Sequence, residues 1–153
     1  CIVVVKVRGS ISAQRESRET LDMLHLARAN YAMLVDNRPA FLGMLKRVQN
    51  YVTWGEATKE IVALLLQKRG RLAGGKKLTD EYAQRIGYKS LSELADAIAD
   101  CKVEPWKLPS VQPVFKLHPP SKGFKGKTKK SFGAGGEAGY RGEGINELVK
   151  RMV

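Results

Sequence analysis

A segment near the C-terminal end of the chain combines residue types that suit binding to a polyanion. Between residues 116 and 142, seven basic side chains stand against a single acid, with glycines and aromatic residues between them. Lysine and arginine neutralise phosphates, glycine lets the main chain approach a ligand closely, and aromatic rings stack on exposed bases. The pattern predicts contact with a nucleic-acid backbone through Lys116, Lys122, Lys125, Lys127, Lys129, Lys130 and Arg141.

The same segment holds a histidine and aromatic residues that bear on this prediction. His118 could contact a phosphate or a ribose, and a structural role is equally open. We expect Phe115 in the core, whereas Phe124, Phe132 and Tyr140 are candidates for stacking on bases. An irregular basic arm suits folded RNA better than a regular duplex, because folded RNA offers crevices and unpaired bases.

A second group of basic residues follows the start of the chain. A lysine or arginine taken singly is normally a solvated surface charge, but as a group these residues could extend a footprint on RNA. The group consists of Lys6, Arg8, Arg15, Arg18, Arg38, Lys46 and Arg47.

The composition supports a nucleic-acid partner and argues against a membrane-binding or membrane-spanning protein. The 153 residues carry a formal net charge of +12, and residues 105–153 hold ten basic and three acidic side chains. An anionic membrane surface is a less favoured partner, because the basic segment has no amphipathic helix. The apolar runs are too short for the ~20 residues that span a bilayer. No signal peptide is evident, so we expect a soluble, cytoplasmic protein.

No constellation of residues indicates catalysis, a metal or a cofactor. Gly70 to Lys77 (GRLAGGKK) approaches the spacing of a phosphate-binding loop, but Lys77 stands where Ser or Thr should bind magnesium. Cys1 and Cys101 lack metal-ligand or disulfide spacing and are expected to be free thiols. The sequence therefore predicts no enzyme, metal, cofactor or small-molecule substrate, and leaves a nucleotide-dependent enzyme as a weak alternative.

Hydrophobic patterns predict the elements that position these residues. Strands are predicted at 2–9, 31–36 and 50–56, and helices at 17–30 and 40–49. This β-α-β-α-β order favours an α+β fold with two helices against one face of a small antiparallel sheet.

The remaining elements are a helical region and a C-terminal extension. Thr58 is predicted to cap a helix that stops at Gly70, Thr79 a short helix, and Ser90 with Glu93 a capping box. A strand is predicted at 114–118, followed by the basic segment as an irregular loop. A terminal helix then buries Ile145, Leu148, Val149 and Met152.

Four stretches resemble a known family. They are TLDMLHL (20–26), FLGMLKRVQNYVTWGE (41–56), FKLHPPSKG (115–123) and GGEAGYRGEGINELVKRM (135–152). In this order and spacing they resemble the large-subunit ribosomal proteins of the bacterial L-thirty and eukaryotic L-seven family. The chain lacks the long basic N-terminal arm of eukaryotic members, so we expect an archaeal form.

The resemblance implies a fold, a division of the chain and a function. The core would be a three-stranded antiparallel sheet related to the ferredoxin-like fold. The implied regions are an RNA-binding core (1–56), a helical extension packed on it (57–110), and a strand, basic loop and terminal helix (111–153). The function would be structural, with large-subunit ribosomal RNA and neighbouring ribosomal proteins as partners. An RNA-binding or regulatory protein outside the ribosome is the alternative.

Overall fold

In the computed structural model, a six-stranded mixed sheet lies between two layers of helices. The structure describes residues 1–104, 107–108, 111–121, 123–124 and 126–153. The strands are β1 (Ile2–Lys6), β2 (Tyr31–Val35), β3 (Val52–Glu56), β4 (Val114–Lys116), β5 (Lys127–Ser131) and β6 (Gly136–Tyr140). The helices are α1 (Arg15–Met23), α2 (Pro39–Arg47), α3 (Lys59–Arg69), α4 (Asp80–Arg85), α5 (Leu91–Ala99) and α6 (Gly144–Met152), and a 3-10 turn (Phe132–Ala134) joins β5 to β6.

The strand order β4-β2-β1-β3-β6-β5 corrects the predicted sheet. The antiparallel strands β2, β1 and β3 form its centre, and β4 adds antiparallel to β2. However, β6 adds parallel to β3, and β5 parallel to β6. The α+β class is confirmed, whereas the three-stranded sheet is wrong, because the outer edges of β2 and β3 are extended by strands from later in the chain.

The prediction of an irregular loop after the fourth strand is also wrong over the ranges of β5 and β6. Lys127–Ser131 and Gly136–Tyr140 lack apolar alternation and are rich in lysine and glycine, which strands normally avoid. Their extended conformation is set by backbone pairing with a neighbouring strand, and pairing of this kind leaves no periodic signature in the sequence.

Both faces of the central strand β1 are covered by helices. Val3 and Val5 belong to the cluster beneath α3, α5 and α6, whereas Ile2 and Val4 belong to the cluster beneath α1 and α2. A strand buried on both faces has a continuous apolar run rather than alternation, as IVVV has. The predicted burial of Phe115 and of the terminal-helix stripe (Ile145, Leu148, Val149, Met152) is confirmed.

Local chemistry accounts for several helix ends. The Thr58 hydroxyl accepts a hydrogen bond from the Ile61 amide, as predicted, and the Ser90 hydroxyl accepts one from the Glu93 amide. By contrast, α1 ends at Met23, seven residues before the predicted end at 30, because His25 adopts a positive φ of 60° that ends the helix.

Gly55 in β3 allows the chain that leaves β6 to pass at close range. A Cβ atom at this position would lie 1.9 Å from the carbonyl oxygen of Gly142, a backbone atom that has little freedom to move. The exit of the chain from β6 therefore requires glycine at position 55.

We predict that Gly55→Ala lowers the free energy of unfolding by roughly 1–3 kcal/mol or more, as overpacking does in well-packed interiors. Urea unfolding measures the change. The matched control is Gly9→Ala, since no atom lies within 4 Å of a Cβ built there. Equal stability of the two variants would show that the chain leaving β6 does not pass Gly55 at this close range.

Candidate nucleic-acid interface

The predicted basic segment is divided between opposite edges of the sheet. Lys116 is exposed on β4, one edge strand, whereas Lys127 and Lys130 are exposed on β5, the other edge. Five strand spacings of ~4.8 Å separate these edges by about 24 Å. Lys129 is placed by its backbone in β5, and Lys122 and Lys125 lie outside the described residues. The lysines of β5 therefore form one group and Lys116 lies apart from it.

Three described residues between β4 and β5 contact the end of α6: His118, Ser121 and Gly123. The Ser121 amide donates to the carbonyl of Arg151 at 3.0 Å, and the Arg151 guanidinium donates to the carbonyl of Gly123 at 2.9 Å. The His118 ring nitrogens lie 2.6 Å from the Pro119 carbonyl oxygen and 3.0 Å from that of Val153. These contacts favour the structural role of His118, and its contact with RNA stays a prediction.

Arg141 is held inside the protein by a network of polar contacts. Its side chain and that of Glu137 are 5% and 6% exposed, and Nη2 lies 2.6 Å from Oε2. Its Nε donates to the Thr53 hydroxyl at 2.7 Å, and that hydroxyl donates to the Gly139 carbonyl at 2.8 Å. The guanidinium also lies 5.0 Å from the centre of the Phe132 ring. Contact between Arg141 and RNA stays a prediction, but the charge is already paired within the fold.

Glu137 is kept ionised by its neighbours. Burial by itself would raise the pKa of Glu137, but the hydrogen bond from Arg141 lowers it. The Gly126 amide, which donates to Oε1 at 2.8 Å, and the charges of Arg141 and Arg151 act in the same direction, so the net pKa lies below its ordinary value. Sequence reasoning missed this role, although a lone acid in a basic segment is the signal of an internal partner.

The second basic group is likewise largely engaged by neighbouring residues. Arg8 lies 4.4 Å from the centre of the Tyr51 ring, Arg15 pairs with Glu19 at 2.9 Å, and Arg38 pairs with Asp36 and Glu104. These pairs are exposed or half-buried, so they do not prevent additional contacts with phosphate.

Lys6 was expected at the surface but is only 1% exposed. Its ammonium group donates to the Ser10 hydroxyl at 2.8 Å and to the Ala27 carbonyl at 3.2 Å. Burial lowers the pKa of Lys6, against a smaller opposing effect of Asp22. Lys6 therefore packs in the interior and does not belong to a surface group.

Lys46 and Arg47 remain exposed at the C-terminal end of α2. Lys46 lines a cleft of about 390 Å³ between α2, β3 and β6, together with Trp54, Glu56 and Tyr140. The Tyr140 hydroxyl donates to the Glu56 carboxylate at 2.6 Å, and this hydrogen bond raises the pKa of Tyr140. Sequence analysis singled out Lys46 and Tyr140 separately, but it did not predict that β6 brings them together.

The other candidate sites carry little chemistry. Residues 70–77 form a turn closed by a bridge between Arg71 and Lys77, and a helix precedes it rather than the strand of a phosphate-binding loop. Cys1 is half-buried and Cys101 exposed, both as free thiols. Within the described ranges, no group of three His, Cys, Asp or Glu side chains is arranged to hold a metal ion. No helix in that part of the chain is long and apolar enough to cross a membrane.

Similarity to known proteins extends over almost the whole chain. A family model described as Ribosomal protein L30p/L7e matches residues 2–52. A relative from Methanopyrus kandleri, large ribosomal subunit protein uL30, is 44% identical over 149 residues, which are 96% of this chain and 100% of the relative. Relatives of the same name from Thermofilum pendens and Ignicoccus hospitalis are each 45% identical, over 99% of this chain and 97% and 96% of their own.

We predict that Glu137→Gln lowers the free energy of unfolding by roughly 3–5 kcal/mol at neutral pH, because Arg141 is then buried without its ionic partner. The folded-state pKa of Glu137 is lowered, so its contribution is complete above the ordinary value of 4.5 and is lost as pH falls through the folded-state pKa. Wild type and variant should therefore converge in acid.

Urea unfolding between neutral and acidic pH measures this difference. The control is Glu19→Gln, which breaks the exposed pair with Arg15 and should cost about 1 kcal/mol or less. A Glu137→Gln effect that is as small as the control, or that does not decrease in acid, would contradict the buried pair.

Proposed function

Because the chain belongs to the ribosomal protein L30p/L7e family, we propose that it is a structural constituent of the large ribosomal subunit and not an enzyme. Its similarity to the archaeal relatives extends over nearly its whole length and is the observation that carries this conclusion. We further propose that it binds large-subunit ribosomal RNA, contacts neighbouring ribosomal proteins, and resides in the cytoplasm as part of the ribosome.

The proposed mechanism is electrostatic and steric. The folded sheet acts as a wedge between RNA segments, and exposed lysines neutralise phosphates that would otherwise repel one another. The lysines of β5 are the main candidates, supported by Lys46 and Arg47 at the end of α2. Lys122 and Lys125, which flank the described Gly123–Phe124 stretch, complete the proposed contact group.

The division into residues 1–56, 57–110 and 111–153 remains part of the proposal. On this division the first and third regions carry the RNA contacts, and the middle region supports them. The support is consistent with α3 and α5, which cover the face of the sheet opposite α1 and α2.

We predict that changing Lys127, Lys129 and Lys130 together to Gln weakens binding to a large-subunit ribosomal RNA transcript. Each phosphate contact contributes about 0.7–0.9 to the slope of log K against log salt concentration, so the slope should flatten by about 2–3. Filter binding over a range of salt concentrations measures the slope. In high salt, less of the variant should sediment with large subunits.

The matched control changes Lys68, Lys76 and Lys77 to Gln, which removes the same charge from exposed positions around the turn at 70–77. If the control flattens the slope as much as the β5 variant, binding depends on net charge alone and the proposed surface is wrong. If neither the wild type nor the control sediments with large subunits in high salt, the ribosomal role fails.

A further inference from the structure

The cleft between α2, β3 and β6 has apolar walls and a polar rim. Its walls are formed by Ile2, Leu42, Trp54 and Tyr140, and its rim by Asn37, Lys46 and Glu56. Its volume of about 390 Å³ lies in the range that proteins use for small ligands. A cleft that combines apolar side chains with a few polar groups suits a ligand that has an apolar face and polar edges.

The tyrosine ring in this cleft is both exposed and fixed. Tyr140 is 55% exposed, and its hydroxyl is anchored to the Glu56 carboxylate. The Trp54 ring lies behind it, with ring centres 6.3 Å apart and planes inclined by 49°. A ring that is already held in place loses little conformational entropy when a planar group stacks on it.

The polar groups at the rim complement the other parts of a nucleotide. Leu42 and Lys46 are one helical turn apart on α2, so an apolar contact and an ammonium group reach the cleft from one helix face. Within the described residues, no ion pair engages Lys46, so its charge is available to a phosphate. Glu56 presents acceptor oxygens, which suit a base edge that carries an amino group.

We propose that this cleft binds one unstacked nucleobase of RNA, with the base on the Tyr140 ring and an adjacent phosphate against Lys46. The inference rests on the proposed function only in requiring an RNA partner. It adds a base-binding site to a protein whose other proposed contacts are electrostatic. An RNA base is favoured over a protein side chain because the net charge of +12 and the adjacent Arg47 attract a polyanion.

Fluorescence of Trp54 provides a direct readout of occupancy. The sequence has two tryptophans, so a Trp106→Phe background leaves Trp54 as the only tryptophan, and excitation at the red edge of the absorption band selects it over the tyrosines. The probes are a short single-stranded oligocytidylate and an abasic oligomer with the same sugar–phosphate chain. We expect the oligocytidylate to quench the fluorescence of Trp54 and to bind about tenfold or more tightly than the abasic oligomer. A difference of this size is what the stacking of one base on one aromatic ring contributes to affinity. Equal affinity for the two probes, without quenching, would overturn the site and leave the electrostatic function intact.

Three variants separate stacking from charge. Tyr140→Leu should reduce the affinity ratio of the two probes to near one, whereas Tyr140→Phe keeps the ring and should largely preserve it. Lys46→Gln should weaken the binding of both probes equally. The matched control is Tyr88→Leu, a half-buried aromatic in the middle region of the chain that lies outside the cleft; it should leave the ratio unchanged. A ratio that is insensitive to Tyr140→Leu, or equally sensitive to Tyr88→Leu, would refute the proposal.

Crosslinking identifies the occupant in the assembled particle. Replacement of Tyr140 with photoreactive p-benzoylphenylalanine, followed by irradiation of intact large subunits, should give a crosslink to RNA. A crosslink to another protein, or none, would show that the cleft does not hold a base in the ribosome. Sedimentation of the labelled protein with the subunits would still report the structural role separately.

Discussion

The outer edge of β3 is the constraint on which the C-terminal half of this fold depends. A strand edge presents N–H and C=O groups that need partners, and an uncovered edge invites pairing with another chain. Here β6 fills the edge in parallel, with Thr53 opposite Gly139 and Trp54 opposite Tyr140. The Arg141 amide then donates to the Trp54 carbonyl at 2.9 Å and extends this pairing beyond the strand. The segment that looked like a loose basic loop is thereby built into the sheet.

This single pairing positions the residues of the proposed base-binding cleft. At the end of β6, the side chain of Tyr140 is exposed beside Trp54, and that of the next residue, Arg141, is buried against Glu137. Alternation of side chains along an extended chain thus gives an exposed aromatic ring and an internal anchor from adjacent residues. Beyond β6, the lysines of β5 lie on the final edge, where positive charge discourages further pairing and also suits a polyanionic partner.

Local signals predicted the parts of the structure that depend on local chemistry. The cap at Thr58, the capping-box hydroxyl of Ser90 and the apolar stripe of the terminal helix could all be found from spacing alone. The sequence did not indicate β5 and β6, because their extended form depends on a neighbouring strand rather than on their own residues. It also did not distinguish Arg141 and Lys6, which are buried with partners, from exposed basic residues of the same type.

Contacts within the protein, and not RNA, order the chain around β6. Hydrogen exchange of the isolated protein measures this order. In the absence of RNA, the Arg141 amide should exchange as slowly as the amides of the buried strand β1. Exchange as fast as in the exposed turn around Gly74, with protection appearing only when RNA is added, would contradict it.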